Sequence, residues 1–199
     1  VNARLDLVVG CNGAGKTTLV EHHLLPLLHT PFVNADEIAR RRWPSTAEAH
    51  SYDAAQIAAR TRATLIGLQR SFIAETVFSH PSKLDLVDDA HEHGFRVVLH
   101  VVMVPEEYAV HRVRLRVDSG GHSVPENKIR ARYARVWPLA VAAIGRCEQA
   151  TVYDNHARRT RIVARFADGT PTFTPDWPSW TPEPLRTAWP TDRVHDPDM

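Results

Sequence analysis

The sequence predicts an α/β fold, a parallel sheet flanked by helices with a helix-and-loop lid at one end. Short apolar runs bounded by turn residues alternate with longer segments of helical period, the pattern of strands joined by crossover helices. A glycine-rich turn, Gly10-Cys11-Asn12-Gly13-Ala14-Gly15-Lys16-Thr17, follows the first apolar run and opens the first helical segment. A chain of 199 residues fits one such domain and can bury a sizeable core.

The first strand is residues 4–9, where Leu5, Leu7, Val8 and Val9 supply the apolar run. A helix over residues 16–28 follows, and Pro26 is placed to kink or end it. A short strand at 32–33 delivers Asn34, Ala35, Asp36 and Glu37 at its carboxyl end. Residues 46–68 are rich in alanine and carry Ala54, Ile57, Ala58 and Leu65 at helical spacing, which predicts a long helix. The third strand, 71–77, is apolar enough to be central and carries Glu75 and Thr76 near its end. A helix at 84–93 closes on Gly94, and the strand 95–104 stops at Pro105. Helices at 106–117 and 126–147 bracket a glycine-containing loop, the second being interrupted or bent at Pro138. Residues 151–153 and 161–166 read as the last strands.

Beyond Asp168-Gly169 the composition changes, which divides the chain into a domain at 1–168 and a tail at 169–199. The tail has no helical or strand period and is dense in proline, so an extended course is expected. Trp177, Trp180 and Trp189 argue against disorder and for indoles packed on the domain or on a partner.

The 24 basic and 23 acidic residues leave a net charge of +1, which gives no global bias toward nucleic acid or a membrane surface. No apolar stretch approaches a bilayer span and no signal-peptide pattern opens the chain, so a cytoplasmic location is expected. Cys11 and Cys147 are expected as free thiols. The histidines at 22–23 and at 91 and 93 lack the spacing and partners of a metal site and are expected on solvated helix faces.

The glycine-rich turn has the spacing of a phosphate-binding loop. Its glycines let the backbone form a nest of inward N–H groups, and the helix start adds the positive end of a dipole. Gly10, Asn12, Gly13, Ala14, Gly15, Lys16, Thr17 and Thr18 are therefore expected to bind the phosphates of a nucleotide, with Lys16 on the β- and γ-phosphates and the Thr17 hydroxyl on Mg²⁺. Ligands of open α/β sheets sit beyond the carboxyl ends of the strands, which gathers Asp36 and Glu75 with this loop. Asp36 could take a proton from an attacking hydroxyl, hold Mg²⁺ through water, or cap the short helix that begins there. Glu75, on an apolar strand, needs a ligand, a metal or a cation as partner. Of the arginines around the glycine loop (112, 114, 116, 130, 132 and 135), Arg116 and Arg132 are expected to carry transition-state charge, the others being ordinary surface residues.

Five separated stretches occur in the order found in the zeta-toxin family: the loop at 10–18, Phe32 to Ala39, Phe72 to Ser79, Arg116-Val117 leading to the glycine loop with His122, and Tyr153-Asp154-Asn155. The chain resembles that family over residues 5–155, in the form of a short toxin of a toxin–antitoxin pair. The resemblance implies a P-loop kinase-like fold and transfer of the ATP γ-phosphate to a nucleotide sugar, UDP-N-acetylglucosamine at the 3′-hydroxyl of its amino sugar. It makes Asp36 the catalytic base and Arg116 a lid arginine, with a second among Arg130, Arg132 and Arg135. It places Glu75 and Thr76, together with Asn34 and His122, at the acceptor, and it implies an antitoxin partner. Phosphorylation of another small metabolite, or a nucleotide-binding module acting through a protein partner, are the alternatives that the residues leave open.

Overall fold

In the computed structural model, which describes residues 2–118, 124–192 and 194–195, a seven-stranded sheet forms the centre of the molecule. Its strands are β1 (Arg4–Val9), β2 (Phe32–Val33), β3 (Phe72–Thr76), β4 (Arg96–Met103), β5 (Gln149–Asp154), β6 (Arg161–Ala167) and β7 (Thr170–Pro171), in the order β2-β3-β1-β4-β5-β6-β7. The first five run parallel, and β6 and β7 add an antiparallel edge. β1, β3 and β4 are buried along almost their whole lengths, as parallel strands covered on both faces must be. The carboxyl ends are level: Val8 lies beside Glu75 and Val33 beside Ala74, so the residues that follow β1, β2 and β3 emerge together.

The helices differ from expectation where tertiary contacts override local signals. Residues 16–28 are helical throughout but divide into α1 (Lys16–Leu19), a π turn (Val20–Leu24) and α2 (Leu25–Leu28). Pro26 has no N–H for the carbonyl four residues back and crowds it, and the wider turn lies immediately before α2. After α3 (Ala35–Arg42), the expected long helix starts late, as α4 (Ser51–Gly67), because residues 46–50 present no buried side chain and form turns instead. A 3₁₀ turn (Pro81–Lys83), α5 (Asp85–Glu92) and α6 (Glu106–Asp118) follow. α7 (Glu126–Ile144) runs uninterrupted through Pro138, with Val136, Trp137 and Ala140 around it buried in the core.

The segment after Gly169 is not simply extended. It contains β8 (Trp177–Pro178), paired in parallel with β9 (Val194–His195), and α8 (Glu183–Ala188), whose Pro182 cap and early Pro184 occupy the positions where a helix tolerates proline. Trp177 and Leu185 are fully buried in the same core as the sheet, and the Trp177 indole N–H donates to the Trp189 carbonyl at 2.9 Å.

A buried polar chain crosses the sheet between β1 and β4. Asp6 accepts from Arg4 Nε at 2.7 Å and lies 2.9 Å from His100 Nε2, and His100 Nδ1 lies 3.1 Å from the Tyr153 hydroxyl. The two buried members, Asp6 and His100, thereby each have partners. Both cysteines are free and buried, and burial pushes the Cys11 thiol up to about 11. Among the described residues, no helix is long and apolar enough to cross a membrane.

Candidate active site

The chain leaves β1 at Gly10 and re-enters regular structure at Lys16, and the backbone between them cannot be built from ordinary residues. Gly10 has φ of 150° and a Cβ there would stand 2.3 Å from the Val102 carbonyl oxygen. Gly15 has φ of 88° and its absent Cβ leaves room for the Asn155 amide, which donates from Nδ2 to the Ala14 carbonyl at 2.7 Å. Gly10→Ala presses on backbone that has no free rotamer to offer. It is expected to lower unfolding free energy by about 1–3 kcal/mol, the range of strained backbone sites, in thermal or urea denaturation.

Glu75 joins the elements of the site. Its Oε2 accepts from the Thr17 hydroxyl at 2.9 Å and from Asn34 Nδ2 at 2.8 Å, while Oε1 lies 3.9 Å from Lys16 Nζ. Lys16, itself buried, donates to the Cys11 carbonyl at 2.9 Å. The acid on the apolar strand thus has a cation and two donors, Lys16 and Thr17 from the start of α1 and Asn34 from the end of β2. Both its oxygens are engaged with the loop and with Asn34. Thr76, next along β3, is half-buried.

Asn34 does two things at once. Its Nδ2 holds Glu75, and its Oδ1 accepts from the backbone N–H groups of Asp36 at 2.7 Å and Glu37 at 3.2 Å, which caps α3. The capping alternative for Asp36 is thereby corrected: the cap is Asn34, whose side chain reaches forward by the two and three residues an N-cap requires. Asp36 lies in the first turn of α3, exposed, and its carboxylate has no hydrogen bond or ion pair among the described residues. An exposed carboxylate at the start of a helix whose cap, Asn34, also bonds Glu75 is geometrically free to accept a proton.

The arginines separate by what they touch. Arg130 is committed to acids, 2.9 Å from Glu107 Oε2, 2.8 Å from Glu126 Oε1 and 3.3 Å from Glu106 Oε1. This contact holds the Glu107 and Glu126 carboxyls below their usual range. Arg132, one helical face away, donates to Asn12 Oδ1 in the loop at 3.4 Å. Arg135 is exposed on α7, and Arg116 is exposed on the last turn of α6. His122 lies outside the described residues. Thr18 is exposed at the start of α1.

Two neighbours of the loop carry no role in the sequence reading. Arg112 lies over the Tyr108 ring at 4.6 Å, and its Nη1 is 3.6 Å from where a Gly15 Cβ would be. Asn155, held at Oδ1 by the Thr160 hydroxyl at 2.7 Å, closes the other side through its bond to Ala14. Its place directly after β5 in Tyr153-Asp154-Asn155 was the available signal; Arg112 had none beyond being one of several arginines.

A strand order with the loop strand between β3 and β4, a nest of positive-φ glycines, and a lysine and threonine meeting an acid from the next strand define a P-loop nucleotide-binding domain with a kinase-like fold. Residues 5–139 match the family profile AAA_33, described as an AAA domain, and the chain belongs to that family. No curated protein matches it. Among solved structures it is similar to AvrRxo1-ORF1:-ORF2 with ATP, at 17% identity and a TM-score of 0.70 over 86% of this chain and 60% of that one. The same complex with sulphate ions matches at 16% identity and a TM-score of 0.69 over 99% of this chain and 73% of that one. A structure from the PezAT chromosomal toxin–antitoxin system of Streptococcus pneumoniae matches at 14% identity and a TM-score of 0.62, over 82% of this chain and 72% of that one. At these identities the likeness is one of fold.

Proposed function

We propose that the protein is a kinase of the zeta-toxin type, transferring the γ-phosphoryl group of ATP to a hydroxyl of a nucleotide sugar, with UDP-N-acetylglucosamine at its amino-sugar 3′-hydroxyl as the first candidate. The observation that carries this reading is the Glu75 junction, which ties the phosphate loop through Thr17 and Lys16 to Asn34, and through the Asn34 cap to the exposed carboxylate of Asp36. The acceptor hydroxyl attacks the γ-phosphorus as its proton passes to Asp36. The new O–P bond forms, the bond to the β–γ bridging oxygen breaks, and ADP leaves.

Thr17 and Glu75 are hard oxygen donors side by side, the set that suits Mg²⁺, and they would hold it. That ion would neutralise charge on the phosphates when bound. Lys16, at the end of the loop, and Arg132, which touches the loop through Asn12, would carry charge that develops on the transferring group, and Arg116 on α6 is assigned the same role. The resemblance puts Glu75 at the acceptor with Thr76, Asn34 and His122; because its oxygens face Thr17, Lys16 and Asn34, Glu75 is assigned to the metal and the other three to the acceptor. A protein antitoxin that covers the nucleotide site and a cytoplasmic location complete the proposal. The toxin–antitoxin setting of one solved relative of the same fold supports it.

Purified protein incubated with ATP, Mg²⁺ and a panel of UDP-sugars should yield one of them heavier by a single phosphate, read by mass spectrometry. Phosphate on a different metabolite, with every UDP-sugar unchanged, replaces the acceptor and leaves the kinase. ATP left intact with every acceptor, including a whole metabolite extract, removes the kinase and favours a nucleotide-binding module acting through a partner.

A further inference from the structure

One tryptophan of the C-terminal segment, Trp180, is linked to the surroundings of the phosphate loop by a chain of rings. The Trp180 indole meets the His156 ring edge-on with centroids 5.9 Å apart, and His156 meets Tyr108 in the same way at 5.0 Å. Tyr108 in turn carries the Arg112 guanidinium on its face at 4.6 Å, and Arg112 stands beside Gly15. A second connection runs parallel to the first. Arg161 bridges Asp176 of the segment, at 2.9 Å, to Asp154, at 3.6 Å, and Asp154 is followed by the Asn155 that bonds the loop carbonyl of Ala14.

Trp180 Nε1 and His156 Nδ1 are buried and have no hydrogen-bond partner among the described residues. An indole N–H left unpaired in the interior costs stability, so the residue is there for the shape and face of its rings rather than for its polar atom. We propose that Trp180 is a positioning residue of the nucleotide site, setting through His156 and Tyr108 where the Arg112 guanidinium stands beside the phosphate loop. This rests on the reading that the loop binds ATP. A guanidinium held over an aromatic face is pre-organised and loses little freedom when an anion arrives. Released from that face, it samples other rotamers, and the nucleotide must bear the ordering.

The test measures ATP binding directly, by calorimetry without any acceptor, on the full chain. Trp180→Ala should weaken binding roughly 3- to 30-fold, the span of a cation–π contact converted to affinity. Trp180→Phe, which keeps a ring and removes the unpaired N–H, should restore it. Tyr108→Leu, at a half-buried position, should match Trp180→Ala and serves if that variant does not fold, with circular dichroism as the check. In turnover assays the ATP KM should rise while the acceptor KM stays fixed. A folded Trp180→Ala or Tyr108→Leu that binds ATP like the wild type overturns the inference, as does a folded Trp180→Phe no better than Trp180→Ala. Wild type that binds ATP but phosphorylates nothing removes the kinase and leaves this inference standing, whereas wild type that does not bind ATP removes both.

Discussion

Lys16→Ala should abolish most phosphoryl transfer and weaken ATP binding by the worth of a charge-assisted contact, about 1.5–3 kcal/mol or more than tenfold in affinity. The lysine is buried, donates to the Cys11 carbonyl and lies 3.9 Å from Glu75 Oε1, so its loss also removes the only cation paired with that carboxylate among the described residues. Two consequences are separable by measurement. Binding of ATP falls in a titration against folded protein, and thermal stability falls because a buried acid loses its charge partner. Lys16→Met, which preserves the stem that packs in the loop, should show the first effect in full. Undiminished ATP turnover in either variant would falsify the role of this loop.

Asp36→Asn should leave the melting temperature nearly unchanged while phosphoryl transfer drops by roughly 10²-fold or more, the usual scale for losing a general base. The structure sharpens the contrast, because the cap of α3 is Asn34 and the Asp36 carboxylate bonds nothing among the described residues. The matching control is Asn34→Ala, which removes a cap worth about 0.5–2 kcal/mol and also a donor to Glu75. That variant should lose stability where Asp36→Asn does not. An Asp36→Asn protein that keeps wild-type turnover per folded molecule would show that the base lies elsewhere.

Much of the fold is legible because punctuation and polarity act locally. Gly94 and Pro105 mark the ends of a helix and a strand that the structure places within a residue or two, and the apolar runs of β1, β3 and β4 are long enough to be strands of a sheet covered on both faces. The late start of α4 was hidden because alanine spacing reports helix propensity and says nothing of whether a face will be buried; residues 46–50 have the first without the second. Pro138 looked like a break because its cost is local, while the core contacts of Val136, Trp137 and Ala140 that outweigh it come from elsewhere in the chain. Proline density likewise masked α8, whose prolines fall on the two places a helix start accepts them.

In the site, the loop and the strand-end acids could be found by spacing, but what each acid touches could not. Asn34 and Asp36 are both good caps by residue type, and only the path of the chain out of β2 decides between them. Arg130 and Arg132 differ by two positions on one helix, which turns the first toward three glutamates and the second toward Asn12. Asp6 and His100 look like isolated polar residues in apolar strands until strand order brings β1 beside β4.

The phosphate loop follows the first strand, yet its wall is made late in the chain. Asn155 closes on Ala14 from beyond β5, and the core under the sheet takes Trp177 and Leu185 from the segment after that. During synthesis the loop and β1 emerge before Asn155, Trp177 and Leu185, and the core that these residues complete lacks them until they follow. The phosphate loop is therefore translated about 140 residues before the asparagine that closes it, so a nascent chain that has not yet reached Asn155 carries the loop without its wall.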